Sequence, residues 1–427
     1  MAIKVVFLTF YFEAWDALDE VWRIMAADPR FDATVISIPR KLTGDQNFGD
    51  EEKVSSFLTD NGVPHLRLSD DLDPAEGQAM LRRLQPDYVF VNYPWRRNYP
   101  AAYRPEALAE FTRVSYVPYY SLALVNEPGE TGVAGHVFEQ RTHQVASLIF
   151  TPDAAELAAY AHTERGNAHV HLTGSPKIDH LLRLANEGVT DWPIPAPTPG
   201  PSTLTGAGRR FRVVWAPHHS YDSGWLNFGL FAQMHLQMLK LVARHPDIDF
   251  VLRPHPFLFG TLVERGLLTQ EQLDAWLEDW TDLPNTAIHT DGEYAALFKA
   301  TDLLLTDGIS FLGEYPIVTG RPTVFLEKAD HWAFSPLGEL AAAANIRLSD
   351  FDAFETLLDE IRTEGLPDYS EPIARLRAAA SPYPGKAAER IVAIVAADHA
   401  AGSPLVDPSR LKTLAWEFRP GREPQPE

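Results

Sequence analysis

Residues 302–327 read DLLLTDGISFLGEYPIVTGRPTVFLE, and this stretch decides the fold. The apolar run at 302–306 is the length of a buried parallel strand. Asp307, Gly308, Ile309 and Ser310 then form a tight polar turn. Residues 311–319 can make two turns of helix, Gly320 and Pro322 stop it, and 323–327 is a second strand. Strand, turn and helix in that order aim backbone N–H groups at one point beyond a sheet edge. That geometry suits an anion, phosphate above all. Asp307 and Ser310 sit where a side chain either caps the helix or touches a ligand.

The same alternation runs in both directions from this stretch. Upstream, strands are expected at 211–216, 249–253 and 287–289, with helices at 225–245, 262–280 and 294–300. Downstream come a loop at 329–339 and helices at 351–364 and 387–399. In the first half, strands are expected at 3–10, 34–39, 65–68, 87–92, 113–119, 147–151 and 169–173, with helices at 15–27, 74–84 and 153–163. Strands alternating with helices imply parallel sheets covered on both faces. Between the halves, DWPIPAPTPGPSTLTGAG at 191–208 is rich in Pro and Gly and reads as a semi-rigid linker. The expected organisation is a Rossmann-like acceptor domain at 1–190, the linker at 191–208 and a Rossmann-like nucleotide-donor domain at 209–385. A C-terminal helical segment at 386–418 is a candidate to cross back to the first domain, and 419–427 is a polar, Pro-rich tail.

Composition narrows the function. The chain has 427 residues and a net charge of -21, from 37 basic and 58 acidic side chains. A negative field argues against nucleic acid as a partner. With no cysteine there is no thiolate nucleophile, disulfide framework or cysteine zinc site. MAIKVVFLTF is too short an apolar run for a signal peptide, and no run is long enough to span a membrane, so a cytoplasmic protein is expected. A peripheral association with a membrane stays open.

Three strand ends in the second half share one character. They read Trp215-Ala216-Pro217-His218-His219-Ser220, Leu252-Arg253-Pro254-His255-Pro256, and the turn from Thr306 to Ser310. Parallel strands project all three to one edge. Arg and protonated His for charge, with backbone N–H groups for the oxygens, suit a diphosphate. A metal held by His218, His219, His255 and Asp307 is the rival reading, although no two of these histidines stand at HxH or HxxxH spacing.

WAPHHS, RPHP, TDGISFLGEYPIVTGRPTVFLE and the upstream LTGSPKIDHL together resemble the CDP-glycerol glycerophosphotransferase family of teichoic-acid and capsule polymerases. The resemblance covers about 170 to 375 well and the first half loosely. It implies an α/β, GT-B-like fold: two doubly wound parallel-sheet (Rossmann-like) domains facing across a cleft. It also implies that His255 and Arg253 neutralise the donor diphosphate or assist the departing nucleotide. Asp307, Gly308 and Ser310 would hold the diphosphate or the ribose, and His218 and His219 would line the same pocket. Glu314, Ser175 and Lys177 complete the donor-binding set. No metal and no cofactor are implied beyond the nucleotide-activated donor, which is the substrate.

There is one departure from the family pattern. Its members carry a Trp-His-Gly-type motif in the first domain, whose His is taken as the general base. The comparable strand end here reads Tyr116-Val117-Pro118-Tyr119-Tyr120-Ser121, with no His. Glu13, Glu127 and His136 are the alternative bases; the last two lie in or beside the Gly-rich loop NEPGETGVAGH at 126–136, a candidate mobile lip. Tyr119, Tyr120 and Trp95, with Tyr93, could wall an acceptor site, together with Glu13.

The function expected is transfer of a glycerol-phosphate, polyol-phosphate or glycosyl group, from a nucleotide-diphosphate donor to a glycan or lipid-linked acceptor. A nucleotide-sugar epimerase on the same architecture is the first alternative, with Glu314 as one of the acidic residues it would need. A non-catalytic nucleotide- or glycan-binding homologue that lost its base is the second.

Overall fold

The computed structural model describes residues 2–41, 45, 47–126, 135–187, 190–195, 209–290 and 294–411. The described parts of the chain form two compact units. One draws on 1–121, 129–180 and 381–427, the other on 122–128 and 181–380. The Pro/Gly-rich stretch at 191–208 lies outside the described residues from 196 onward.

The first unit is built on seven strands: β1 (Ile3–Thr9), β2 (Phe31–Ser37), β3 (His65–Arg67), β4 (Tyr88–Val91), β5 (Arg113–Tyr116), β6 (Ala146–Thr151) and β7 (Val170–Leu172). They pair in the order β3-β2-β1-β4-β5-β6-β7, and every pairing is parallel. The second unit holds β8 (Phe211–Ala216), β9 (Ile248–Leu252), β10 (Thr286–Ile288), β11 (Leu303–Thr306), β12 (Val324–Leu326) and β13 (Ile346–Leu348). Their order is β10-β9-β8-β11-β12-β13, again all parallel. Both sheets are doubly wound, as the alternation of strands and helices implies.

Apolar runs become the central strands because a parallel sheet is covered on both faces. YVFV of β4, IDFVL of β9 and LLLT of β11 are buried at every position. In the first unit, helix Ala387–Ala401 packs against helix Asp19–Ala27. Ile391, Val392 and Val395 there join Val21, Met25 and Phe7 in one apolar core. In the second unit, Trp215, Trp276 and Trp280 anchor the core beneath the β8–β9 side of the sheet.

Helix Ile309–Thr319 carries Pro316 inside it. Proline has no N–H to bond the carbonyl four residues back, at Leu312. Asn345 donates its side-chain amide to that carbonyl at 2.8 Å, and its oxygen accepts from Thr323 N–H at 2.6 Å. Residues 122–126 are an excursion of the chain into the second unit. Val125 pairs with Phe334, and a Cβ at Gly338 would lie 1.9 Å from the Leu124 carbonyl, so only glycine allows that approach.

Three expected elements come out differently. The helix expected over 225–245 runs only Phe231–Arg244. Leu226 and Asn227 are left-handed, with φ of 62° and 58°. The N–H groups of Phe228 and Leu230 are taken by Ser220 and Asp307. The span 262–280 is two helices, Leu258–Glu264 and Gln270–Thr281; the second opens on a reciprocal Thr269–Gln272 cap. Part of the loop expected at 329–339 is helix Pro336–Ala343, capped by Ser335. Among the described residues, no helix is long and apolar enough to cross a membrane.

Candidate functional site

The order of the second sheet reverses between β8 and β11, so the crevice of a doubly wound fold opens between these two strand ends. Pro217 and His218 follow β8, and Asp307 and Gly308 follow β11. Beyond their ends β8 and β9 stay paired: Arg253 N–H donates to Trp215 O at 2.7 Å, and His255 N–H to Pro217 O at 3.1 Å. This continuation sets His255 beside the two histidines of β8. The His219 and His255 rings stack at 3.9 Å and 26°, His218 lies 4.6 Å from His219, and His218 lies 5.3 Å from His255.

Asp307 joins the two sides of the crevice. Its Oδ1 accepts His218 N–H at 2.6 Å and its Oδ2 accepts Leu230 N–H at 2.5 Å. Burial pushes its pKa up to about 7, against the two backbone hydrogen bonds, which favour the carboxylate. Asp307 therefore neither caps helix Ile309–Thr319, which has no side-chain cap, nor leaves its oxygens open to a ligand. It holds the long loop after β8. Thr306 adds a second tie, donating its hydroxyl to Ala216 O at 2.7 Å and accepting Gly308 N–H at 2.9 Å. A Cβ at Gly308 would press the His218 ring at 3.2 Å. Ser310 stands exposed in the first helical turn.

The three imidazoles are neutral. Burial, aided by the neighbouring His219, holds His218 well below the ordinary histidine range. Burial acts in the same direction on His255, with His219, His218 and Arg253 adding to it. His219 is pushed down to about 4, by burial and then by Arg265. The rings therefore do not carry the charge expected of protonated histidine, since desolvation and clustering oppose it. The imidazoles offer N–H dipoles instead. His255 Nδ1 accepts Phe257 N–H at 3.1 Å, which puts the proton of the neutral ring on Nε2. His218 Nδ1 is engaged by Ser220, whose Oγ stands at 2.8 Å and whose N–H stands at 3.3 Å.

The same geometry bears on the metal reading. Nitrogens of His218, His219 and His255 lie within 4.8 Å of one another. Only His219 and His255 are stacked; the His218 ring is tilted to both, at 46° and 67°. The Nδ1 atom of His255 is also already an acceptor. Neutral imidazoles serve a cation through a ring lone pair or an anion through a ring N–H, so the metal reading stands beside the anion reading.

Arg253 brings positive charge to the same edge. Its Nη1 lies 2.8 Å from His289 Nδ1, and its guanidinium stacks 5.2 Å over the Tyr294 ring. Tyr294 donates its hydroxyl to Glu314 Oε2 at 2.5 Å, and Glu314 is only 1% exposed. His289 and Tyr294 were not among the residues singled out from sequence. Neither lies in a recognisable motif, and only the sheet brings them to Arg253.

The remaining described candidates lie in the first unit. Ser175 accepts Ile178 N–H at 3.3 Å, opening helix Pro176–Asn186. Lys177 forms a buried ion pair with Asp16 at 3.1 Å. Both fall in the first unit, within the expected 1–190 domain. Tyr93, Trp95 and Tyr119 form one cluster with ring separations of 5.0, 5.0 and 5.6 Å, and Tyr120 meets Tyr119 at 5.5 Å. Trp95, Tyr119 and Tyr120 are half-buried. Glu13 accepts Arg40 Nη1 at 2.9 and 3.1 Å, and burial nonetheless raises its pKa. Glu127 and the His136 side chain lie outside the described residues.

Glu156 is a carboxylate the sequence reading passed over. It is 2% exposed in the first turn of helix Ala154–Tyr160. After burial, its charge is a further cause of the raised hydroxyl pKa values of Tyr116, Tyr120 and Tyr160. TPDAAELA looks like an ordinary capped helix start, which Asp153 indeed provides.

No protein-family model matches the sequence, and no curated protein matches it either. Solved structures do match in fold. UDP-GlcNAc 2-epimerase from Neisseria meningitidis, solved with UDP-GlcNAc, superposes with a TM-score of 0.55 at 15% identity over 93% of this chain and 100% of that one. The Methanocaldococcus jannaschii UDP-GlcNAc 2-epimerase gives 0.56 at 14% identity, over 93% and 100% of the two chains. The wall teichoic acid polymerase TagF gives 0.57 at 13% identity, over 94% and 90%. At such identities the likeness is one of fold: the chain has the two-domain α/β architecture of the GT-B type.

Proposed function

We propose that the protein is a GT-B transferase acting on a nucleotide-diphosphate donor, with a CDP-linked donor favoured. One observation carries this reading: neutral His218, His219 and His255 gather at the crevice between β8 and β11, beside Gly308 and the helix that follows it. A diphosphate there would take a hydrogen bond from His255 Nε2–H and others from backbone N–H groups at the helix start, with Arg253 supplying charge. The solved neighbours include proteins described with UDP, UDP-GlcNAc and CDPG, which supports a nucleotide-linked ligand.

In the transfer step, an acceptor hydroxyl oxygen bonds to phosphorus or to a sugar carbon. The bond from that atom to the departing phosphate oxygen breaks, and the hydroxyl proton passes to a base. His255 and Arg253 offset the charge gathering on the leaving nucleotide. The half-buried aromatic cluster of the first unit would hold a glycan or lipid-linked acceptor, with Glu13 and Glu156 as the described carboxylates available to it. The test is release of CMP from CDP-glycerol, with and without a glycerol-phosphate oligomer. Release that needs the oligomer supports the reading.

A nucleotide-sugar epimerase is the second reading. The 2-epimerases among the structural neighbours and the buried Glu314 beside Tyr294 favour it. It predicts interconversion of UDP-GlcNAc and UDP-ManNAc with no acceptor added.

A further inference from the structure

The strand β12 ends at the same edge as β11, and its continuation carries Lys328. Thr306 of β11 pairs with Phe325 of β12. The residues that follow, Glu327 and Lys328, therefore flank Gly308 and the start of helix Ile309–Thr319. Across the sheet these strand ends run in the order β9, β8, β11, β12. His255 and His218 thus follow strands on one side of the helix start, and Lys328 follows the strand on the other.

The loop after β8 aims the Lys328 side chain. Lys328 Nζ donates to Asn227 Oδ1 at 2.5 Å. Asn227 is 3% exposed and left-handed, and its Nδ2 donates to Asp330 O at 3.1 Å. This is the loop that Asp307 clamps at His218 and at Leu230. The charge of Lys328 stays available to a ligand. Its nearer partner is a neutral amide, and the Asp330 carboxylate, at 3.6 Å, is 69% exposed, where water screens it. Glu327 turns instead to Arg347 at 2.8 Å and to His331 at 3.3 Å. The Lys328 side chain is itself 20% exposed, so a ligand can reach it. Burial raises the Asp307 pKa, and after the backbone hydrogen bonds the Lys328 charge opposes that rise, which puts the ammonium within electrostatic reach of the crevice.

We infer that Lys328 is a specificity-determining residue, which takes the second phosphate of a nucleoside diphosphate. The inference rests on the nucleotide-diphosphate reading above and divides that ligand between the two sides of the helix start. Strands two places apart in a sheet, as β8 and β12 are, lie about 10 Å from each other. A single phosphate at the helix start is too small to bridge the histidine side and the Lys328 side, whereas two linked phosphates reach both. Lys328 is therefore the residue that tells a diphosphate from a monophosphate, whatever the base.

CDP, CMP, UDP, UMP and inorganic pyrophosphate serve as probes, titrated into the full chain by calorimetry with EDTA present. The wild type is expected to bind a nucleoside diphosphate about tenfold or more tightly than its monophosphate. Lys328→Met keeps the apolar stem and removes the charge. It should bind the diphosphate and pyrophosphate about tenfold more weakly and the monophosphate less than about threefold more weakly, as the loss of one charge-assisted contact requires. Lys328→Arg should restore most of the preference. Asn227→Asp sets a carboxylate against the ammonium and should lower the preference as Lys328→Met does. The inference is overturned if Lys328→Met and Asn227→Asp keep the wild-type preference, or if they weaken both nucleotides equally, as a merely structural lysine would. A wild type that binds no nucleotide overturns the nucleotide-diphosphate reading and this inference together. A wild type that prefers UDP to CDP contradicts only the CDP-linked donor, and loss of its diphosphate preference in Lys328→Met still supports the inference.

Discussion

The Asp307 carboxylate accepts His218 N–H through Oδ1, at 2.6 Å. This bond joins the ends of two strands that are far apart in sequence and adjacent in the sheet, β8 and β11. With Leu230 N–H on Oδ2, it fixes the loop that carries His218 and His219. Asp307→Asn keeps one acceptor oxygen and turns an amide N–H₂ toward a backbone donor. The variant is expected to lose about 1–3 kcal/mol of stability by denaturant titration, the cost of leaving one buried N–H unpaired. Its loss of nucleotide binding should exceed that of Ser310→Ala, because Ser310 is exposed.

Ligand binding should be coupled to proton uptake. His218, His219 and His255 are held below the ordinary imidazole pKa. A diphosphate favours their charged forms and raises those values. Affinity should therefore rise as pH falls from about 8 to 6. Calorimetry in two buffers of different ionisation enthalpy should report net uptake of protons; net release would contradict the neutral-imidazole assignment.

The same depressed pKa values set the acid limit of the fold. A buried neutral histidine binds fewer protons in the folded state than in the unfolded one below about pH 6.5. The stability these groups contribute is fully present above that pH. It is lost progressively as pH falls toward their folded values, about 4 for His219 and about 3 for His143 and His169. Urea midpoints measured between pH 7.5 and 4.5 should fall steadily.

Asn345 compensates for Pro316. Asn345→Ala would leave the Leu312 carbonyl and Thr323 N–H unpaired inside the second unit. A loss of about 2–4 kcal/mol is expected, with m-values unchanged. A Pro316→Ala background should restore part of it, since an alanine there has an N–H to bond the Leu312 carbonyl.

Asp179 accepts N–H groups of Gly385 and Ala387, at 2.7 and 2.8 Å, at the start of helix Ala387–Ala401. Asp179→Ala should cost about 1–2 kcal/mol. Hydrogen exchange should speed up first in residues 387–392; uniform acceleration across the first unit would contradict this local role.

The doubly wound fold was legible because buried parallel strands print themselves as apolar runs such as VFLTF, YVFVN and DLLLT. The edge bearing His218, Arg253, His255 and Asp307 was legible for the same reason: all follow strand ends. What the residues do there was not. Asp307 looks like a cap or a ligand in one dimension, and only the register of β8 and β11 turns it toward His218. The helix expected from 225 failed because Ser220 and Asp307 take the N–H groups it needed. The ion pair of Lys177 with Asp16 was not legible, because the two residues are far apart in the chain and only the fold brings them together. Protonation was also beyond the sequence, because a histidine pKa depends on how deeply the packed fold buries it.

The most direct test measures the melting temperature of the wild type and of His255→Ala with CDP, CMP, UDP, GDP and ADP. A ligand that binds only the folded state raises Tm by mass action. The account predicts stabilisation by CDP above the others in the wild type, and its loss in a variant that still folds with an unchanged urea midpoint. No shift with any nucleotide, or an equal shift in wild type and variant, would contradict the donor site at the β8–β11 crevice.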